Sequence, residues 1–242
     1  MHKVTVFSEY YECAKEIRCG AVYPLSMVQG FQGGDIYTDG NAFLFHHDCG
    51  FAFLCGSITD AFLSDVYSLM KDVGRRLVLF SENEYITCFF EKYPDASINT
   101  RYFYSYAGHP VSAVNYLYTI KKIDRATIDQ LAGKITPSFS WITDVFLQKG
   151  FGIAVICDDM PVSWAFSAAV SNDEVDIGVE TAEKYRGKGL AKTAVNEMIK
   201  AVIASGKKPV WACHSLNTGS RKLAESSGFV KTGECTVITI KQ

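Results

Sequence analysis

Val175-Asp176-Ile177-Gly178-Val179-Glu180-Thr181 leads into Tyr185-Arg186-Gly187-Lys188-Gly189-Leu190-Ala191, and a helical pattern follows to Ile203. The first segment is apolar and β-branched, which marks a strand. Beyond the glycines, Ala191, Val195, Met198 and Val202 recur at helical spacing, with Lys192, Glu197 and Lys200 on other faces. Gly206 and Pro209 then signal the helix end. The glycines fall where a helix exposes N–H groups that lack a partner within the helix. Without a Cβ they also let an anion come close to the backbone. The helix dipole favours negative charge at that point, and Lys184, Arg186, Lys188 and Lys192 surround it. The stretch reads as strand, phosphate-binding turn, helix.

Spacing narrows the choice of phosphate ligand. A nucleoside-triphosphate loop needs G-x-x-x-x-G-K-[ST], and the chain has no such run. A dinucleotide fingerprint needs a third small residue where Lys192 stands, and an acidic residue ending a second strand about 20 residues on. Here the next strand, residues 209–213, runs into His214. Arg186-x-x-Gly189-x-Ala191 instead resembles the R/Q-x-x-G-x-G/A signature of the GNAT acyltransferases, which hold the coenzyme A diphosphate in this way. The flanks carry the likeness further. Residues 163–167 and 176–181 resemble the family's two antiparallel strands before the loop. Asn217-Thr218-Gly219-Ser220 through Gly228-Phe229 resembles its N-x-x-S…GF helix, with Asn217 as cap and Gly228 suited to a left-handed exit. The resemblance covers residues 120–242 and looks closest to the zwittermicin-resistance-like branch, where a segment like 146–152 leads into the sheet.

That resemblance implies an α/β (α+β) GNAT fold, a mixed, largely antiparallel sheet flanked by helices. It implies an acetyltransferase domain at 120–242 after an N-terminal α/β region at 1–119. Acetyl-CoA would be the cosubstrate, with no metal. The N–H groups of Val179 and Thr181 would face its acyl and pantetheine portions. Arg186, Gly187, Lys188, Gly189, Leu190 and Ala191 would take the diphosphate, and Asn217 and Ser220 would contact the coenzyme from the last helix. The implied activity is transfer of an acetyl group to a primary amine, directly and in a ternary complex. Cys213, the nearest alternative nucleophile, reads better as strand packing.

Proton transfer is where the chain departs from the family. The Tyr that many members use to protonate the thiolate is replaced by Ala224, and strand histidines found in others are replaced by Val175 and Ile177. Glu180 and His214, at strand ends, are the remaining candidates for acid and base, with Asp176 a third. Deprotonation through water stays open. So does a second function, a non-catalytic acyl-CoA sensor or binding module, which the missing Tyr favours.

Composition sets outer limits. Apolar content of 48% and charged content of 21% over 242 residues suit a soluble globular chain. A formal net charge of −2 gives no general attraction to nucleic acid or anionic membrane. The eight cysteines include no C-x-x-C pair, so no structural zinc is expected. No apolar run approaches the ~18 residues of a membrane span, and the expected setting is the cytoplasm. The expected partner is a small-molecule or peptide amine; its identity and the oligomeric state stay open.

The first half shows a related order. Residues 42–46 and 51–55 flank Asp48-Cys49-Gly50, a hairpin signal. A helix at 60–73, a strand at 77–80, a helix at 82–92 and a strand at 100–106 follow, matching the order read between 161 and 240. A degenerate copy of the same fold is one reading; an unrelated α/β cap is the other. At the equivalent turn, Gly56-Ser57-Ile58-Thr59-Asp60 lacks the basic residue and the second glycine, and Asp60 would repel a diphosphate. His46-His47 looks metal-like, yet neighbours on a strand point to opposite faces and do not easily share an ion.

Overall fold

The computed structural model describes residues 1–108 and 118–241. The first part of the chain forms β1 (His2–Val4), α1 (Tyr11–Glu16), α2 (Val22–Val28), β2 (Gly34–Thr38), β3 (Ala42–His47), β4 (Phe51–Gly56), α3 (Asp60–Asp72), β5 (Val78–Ser81), α4 (Glu84–Glu91) and β6 (Ala96–Tyr106). The second forms β7 (Thr119–Lys122), α5 (Arg125–Gln130), α6 (Thr143–Lys149), β8 (Gly152–Cys157), β9 (Met160–Val170), β10 (Glu174–Thr181), α7 (Leu190–Ala204), β11 (Lys208–His214), α8 (Thr218–Ser226) and β12 (Phe229–Ile240). This is the mixed, largely antiparallel α/β architecture that the sequence predicts. Among the described residues no helix is long and apolar enough to cross a membrane.

Contacts group the chain into two units. One comprises Met1–Phe103, Cys213–Leu216 and Gly233–Gln242; the other comprises Tyr104–Ala212 and Asn217–Thr232. Neither is continuous, so no single cut, at 119/120 or elsewhere, separates them. The reason is strand pairing: the far end of β12 joins the first unit, with Thr236, Val237 and Ile238 opposite Ser81, Phe80 and Leu79 of β5.

In the first unit β1, β2, β3 and β4 pair antiparallel in turn, and β4 pairs parallel with β5. Neighbouring residues of β3 feed opposite faces. Leu44 joins Phe62, Leu63, Val66, Leu79, Phe90 and Ile238, while Phe45 joins Ala14, Met27, Ile36 and Cys55. Phe62, Leu63, Val66 and Met70 form the apolar stripe of α3. Truncating a buried ring such as Phe62 to Ala would cost about 3–5 kcal/mol.

In the second unit β7, β8, β9 and β10 pair antiparallel, and β10 pairs parallel with β11. Leu190, Ala194, Val195, Met198, Ile199 and Val202 line the buried side of α7. The two units thus repeat one pattern: an antiparallel run, a helix, a parallel strand, a second helix. In both, the parallel register is short. It covers Phe51–Phe53 against Val78–Phe80, and Glu174–Asp176 against Lys208–Val210. Both second helices also follow a Ser-x-Asn step, Ser81-Glu82-Asn83 and Ser215-Leu216-Asn217, whose Asn side chain caps the helix.

Candidate coenzyme site

The pairing of β10 with β11 ends at Asp176, whereas its pairing with β9 continues to Thr181, after an irregularity between Asp176 and Ile177. The rest of β10 therefore has one edge outside the parallel ladder. Ala182 donates its N–H to Val162 O at 2.9 Å, toward the β9 side. Alternation along an extended strand then turns the N–H groups of Val179 and Thr181 to the other side, away from β9.

The chain next makes a 3-10 turn at Glu183–Tyr185 and enters the glycine loop. Gly187 and Gly189 have φ of +76° and +78°, a left-handed conformation that a side chain would strain. Among the described residues an added Cβ at either would meet nothing within 4 Å, so the space above both glycines is open there. Gly189 precedes α7 with no side-chain cap and no acidic residue in the first turn. Thr193 is the first residue whose N–H bonds back, to Gly189 O at 3.1 Å. The N–H groups of Leu190, Ala191 and Lys192, in the turn before it, have no carbonyl within the helix to reach. Arg186 ties the loop to the strand end through Nε–H to Thr181 O at 3.2 Å, and Lys188 lies over the Tyr185 ring, 4.9 Å from its centre. Unpaired donors, a helix dipole and exposed cations converge on one open surface, which is what a diphosphate needs.

The family model described as GNAT acetyltransferase matches residues 21–238. The chain belongs to the GNAT acetyltransferase family. An uncharacterized N-acetyltransferase of Bacillus subtilis is 35% identical over 92 residues, 38% of this chain and 35% of that protein. The match thus spans about a third of that relative's length. Among solved structures, a GCN5-related N-acetyltransferase-like protein from Streptococcus suis superposes with a TM-score of 0.80 at 24% identity, covering 97% of this chain and 98% of that one. A GNAT-family acetyltransferase from Colwellia psychrerythraea gives 0.64 at 11% identity, covering 99% of each chain. A tandem GNAT protein from the clavulanic acid biosynthesis pathway gives 0.63 at 10% identity, covering 97% and 93%. At these identities the structural likenesses are of fold.

Within this GNAT chain the remaining predicted site residues all have partners. Asn217 Oδ1 accepts the Ser220 N–H at 3.0 Å, capping α8, and Ser220 Oγ accepts the Trp211 indole N–H at 3.1 Å. Their amide and hydroxyl protons remain for a ligand. His214 Nδ1 accepts the Leu216 N–H at 3.1 Å, which in the neutral ring puts the proton on Nε2. Glu180 Oε2 accepts the Ile135 N–H at 2.6 Å. Asp176, only 4% exposed, is sealed from solvent. Ala224 is fully buried, so a Tyr could not stand there without repacking. Cys213 is buried in its strand.

The first unit holds features of another kind. His46 Nε2 lies 2.9 Å from Arg76 O, and His47 Nδ1 accepts the Cys49 N–H at 3.1 Å. Burial lowers their pKa values to about 4 and about 3. Among the described residues no group of three or more metal-binding side chains forms. A cavity of about 560 Å³, lined by residues that include Phe53, Cys55, Phe80, Ser81 and Glu82, opens where β4 and β5 part. Nothing local in the sequence announces it, because it depends on where two strands stop pairing.

Proposed function

We propose that this GNAT protein is an N-acetyltransferase that moves an acetyl group from acetyl-CoA to a primary amine of a small molecule or peptide. The observation that carries the reading is the uncapped start of α7 beneath an open glycine loop. In this reading the N–H groups of Leu190, Ala191 and Lys192, with Arg186 and Lys188, hold the diphosphate. Gly187 and Gly189 keep the approach clear. Val179 and Thr181 offer their N–H groups to the amide chain and acyl carbonyl, as an extended strand pairs with another. Asn217 and Ser220 donate to the coenzyme from α8. The thioester supplies an activated carbonyl. The neutral amine forms a bond to its carbon, the C–S bond breaks, and the amine loses a proton while the thiolate gains one. In this reading the amine's proton reaches the thiolate through water, because the neutral His214 ring has its one proton on Nε2 and its Nδ1 lone pair taken by the Leu216 N–H. The chemistry is assigned to residues 120–242.

Calorimetric titration with acetyl-CoA, followed by thiol release on a panel of amines, tests the reading. One site per chain and turnover with at least one amine are expected. Two sites, or no binding, would overturn it. The buried Ala224, with no polar group where the family often has Tyr, favours a second reading, an acyl-CoA sensor. Tight binding without turnover would select that one.

A further inference from the structure

Glu180 stands opposite Trp164 in the ladder of β9 and β10, and the two side chains grip one distant residue. Glu180 Oε2 accepts the Ile135 N–H at 2.6 Å, while the Trp164 indole N–H donates to Ile135 O at 2.7 Å. Both polar backbone groups of Ile135 are thus taken by a single cross-strand pair, although Glu180 lies 45 residues further along the chain. Gly133 is pressed against the same pair. A Cβ there would collide with Glu180 Oε2 and stand 2.6 Å from Trp164 Cζ2. Trp164 is 1% exposed and cannot swing away cheaply. A second pin lies nearby, where the Trp141 indole N–H donates to Ser167 O of β9 at 2.6 Å. The segment between α5 and α6 is therefore docked onto β9 and onto β10 at Glu180, the residue between Val179 and Thr181.

We propose that Glu180 is a positioning residue, which holds residues 131–136 as a wall for the acceptor, and is not the base that deprotonates it. The proposal rests on the acyl-transfer reading for its consequence and on the geometry of Ile135 for its cause. A carboxylate that accepts a backbone N–H makes a charge-assisted bond. A proton taken up by that carboxylate weakens the bond that holds the wall. Removing the carboxylate leaves the Ile135 N–H without its partner. One group is poorly placed to carry a proton in every cycle and to hold the loop still.

The test uses the full chain with Glu180→Ala, Glu180→Gln and Gly133→Ala, with spermidine as probe amine. Amide hydrogen exchange over residues 131–136 is the first readout; kcat, the KM values for acetyl-CoA and spermidine, and the pH–rate profile are the others. Glu180→Ala should speed exchange in that segment about tenfold or more. It should raise the spermidine KM by a similar factor and leave the acetyl-CoA KM alone. Glu180→Gln, which keeps an oxygen for the Ile135 N–H, should restore most of both losses and keep the wild-type pH profile. Gly133→Ala, which leaves the carboxylate in place, should resemble Glu180→Ala. A fall in kcat of a hundredfold or more in Glu180→Gln with loop exchange unchanged would show a base and overturn the proposal. Unchanged exchange in Glu180→Ala would overturn it whatever the activity. If the wild type leaves spermidine untouched, that acceptor is lost to the acyl-transfer reading, while exchange still decides the clamp.

Discussion

The first turns of α3 and α7 hold equivalent places in the two repeated units and are finished in opposite ways. At α3, Thr59 Oγ1 accepts the Phe62 N–H at 3.2 Å, and Asp60 sets a carboxylate in the first turn, where the Tyr85 hydroxyl donates to it. At α7, Gly189 offers no side chain, the first turn has no acid, and Arg186 and Lys188 stand nearby. One helix start is satisfied by its own chain and carries negative charge; the other has no side-chain cap and is surrounded by positive charge. The parting of two parallel strands, by contrast, occurs in both units. The short parallel pairing thus comes with the fold, and the proposed anion chemistry comes from a few residues at one turn.

The sharpest way to break this contrast is to give α7 the chemistry of α3. Gly189→Glu places a Cβ and a negative charge against the dipole at a φ of +78°. Acetyl-CoA affinity should fall by at least about a thousandfold, ~4 kcal/mol, with circular dichroism little changed. A folded variant that binds normally in calorimetry would move the site elsewhere.

Acid should separate the units next. His46 and His47 belong to the first unit and are held neutral, with pKa values of about 4 and about 3. In the unfolded chain they titrate near 6.5, so between those values the unfolded state binds more protons. Their stabilising contribution is complete above about pH 6.5 and is lost as pH falls toward 4. From pH 7 to 5 the loss should be about 3–4 kcal/mol. All three tryptophans, Trp141, Trp164 and Trp211, lie in the second unit. Urea unfolding at pH 5 should therefore show far-ultraviolet dichroism changing before tryptophan fluorescence. Coincident curves would mean that the two units unfold together.

Smaller changes sharpen the comparison. Arg186→Ala removes one cation and the tie to Thr181 O, and acetyl-CoA affinity should weaken about ten- to a hundredfold, since a hydrogen bond to a charged group contributes about 1.5–3 kcal/mol. Added salt should shrink the difference. Thr59→Ala should lower stability by about 1 kcal/mol through loss of the cap and leave acetyl-CoA affinity unchanged. A tenfold shift in affinity there would end the functional separation of the two helix starts.

Much of the fold was legible because its signals are short. The helix predicted at 60–73 is Asp60–Asp72, the hairpin at 42–46 and 51–55 is Ala42–His47 with Phe51–Gly56, and Asn217 caps the last helix. The strand at 100–106 proved to begin at Ala96, since Ala96, Ser97 and Asn99 around the single Ile98 carry little local strand signal. His46 and His47 were expected to face apart. Their depth of burial was not readable, because it depends on what packs over both faces of β3.

The glycine turn before α7 is the part that sequence alone determined. A left-handed glycine, an uncapped helix start and a neighbouring Arg are properties of adjacent residues, fixed by sterics and hydrogen-bond geometry within one turn of chain. Tertiary structure decided the rest. The return of β12 to β5 could not be read from the sequence, nor could the cavity where β4 and β5 part. The hold of Trp164 and Glu180 on Ile135 was equally hidden. Each depends on which distant residues meet, and that is set by register and packing, for which no short stretch of sequence carries the information.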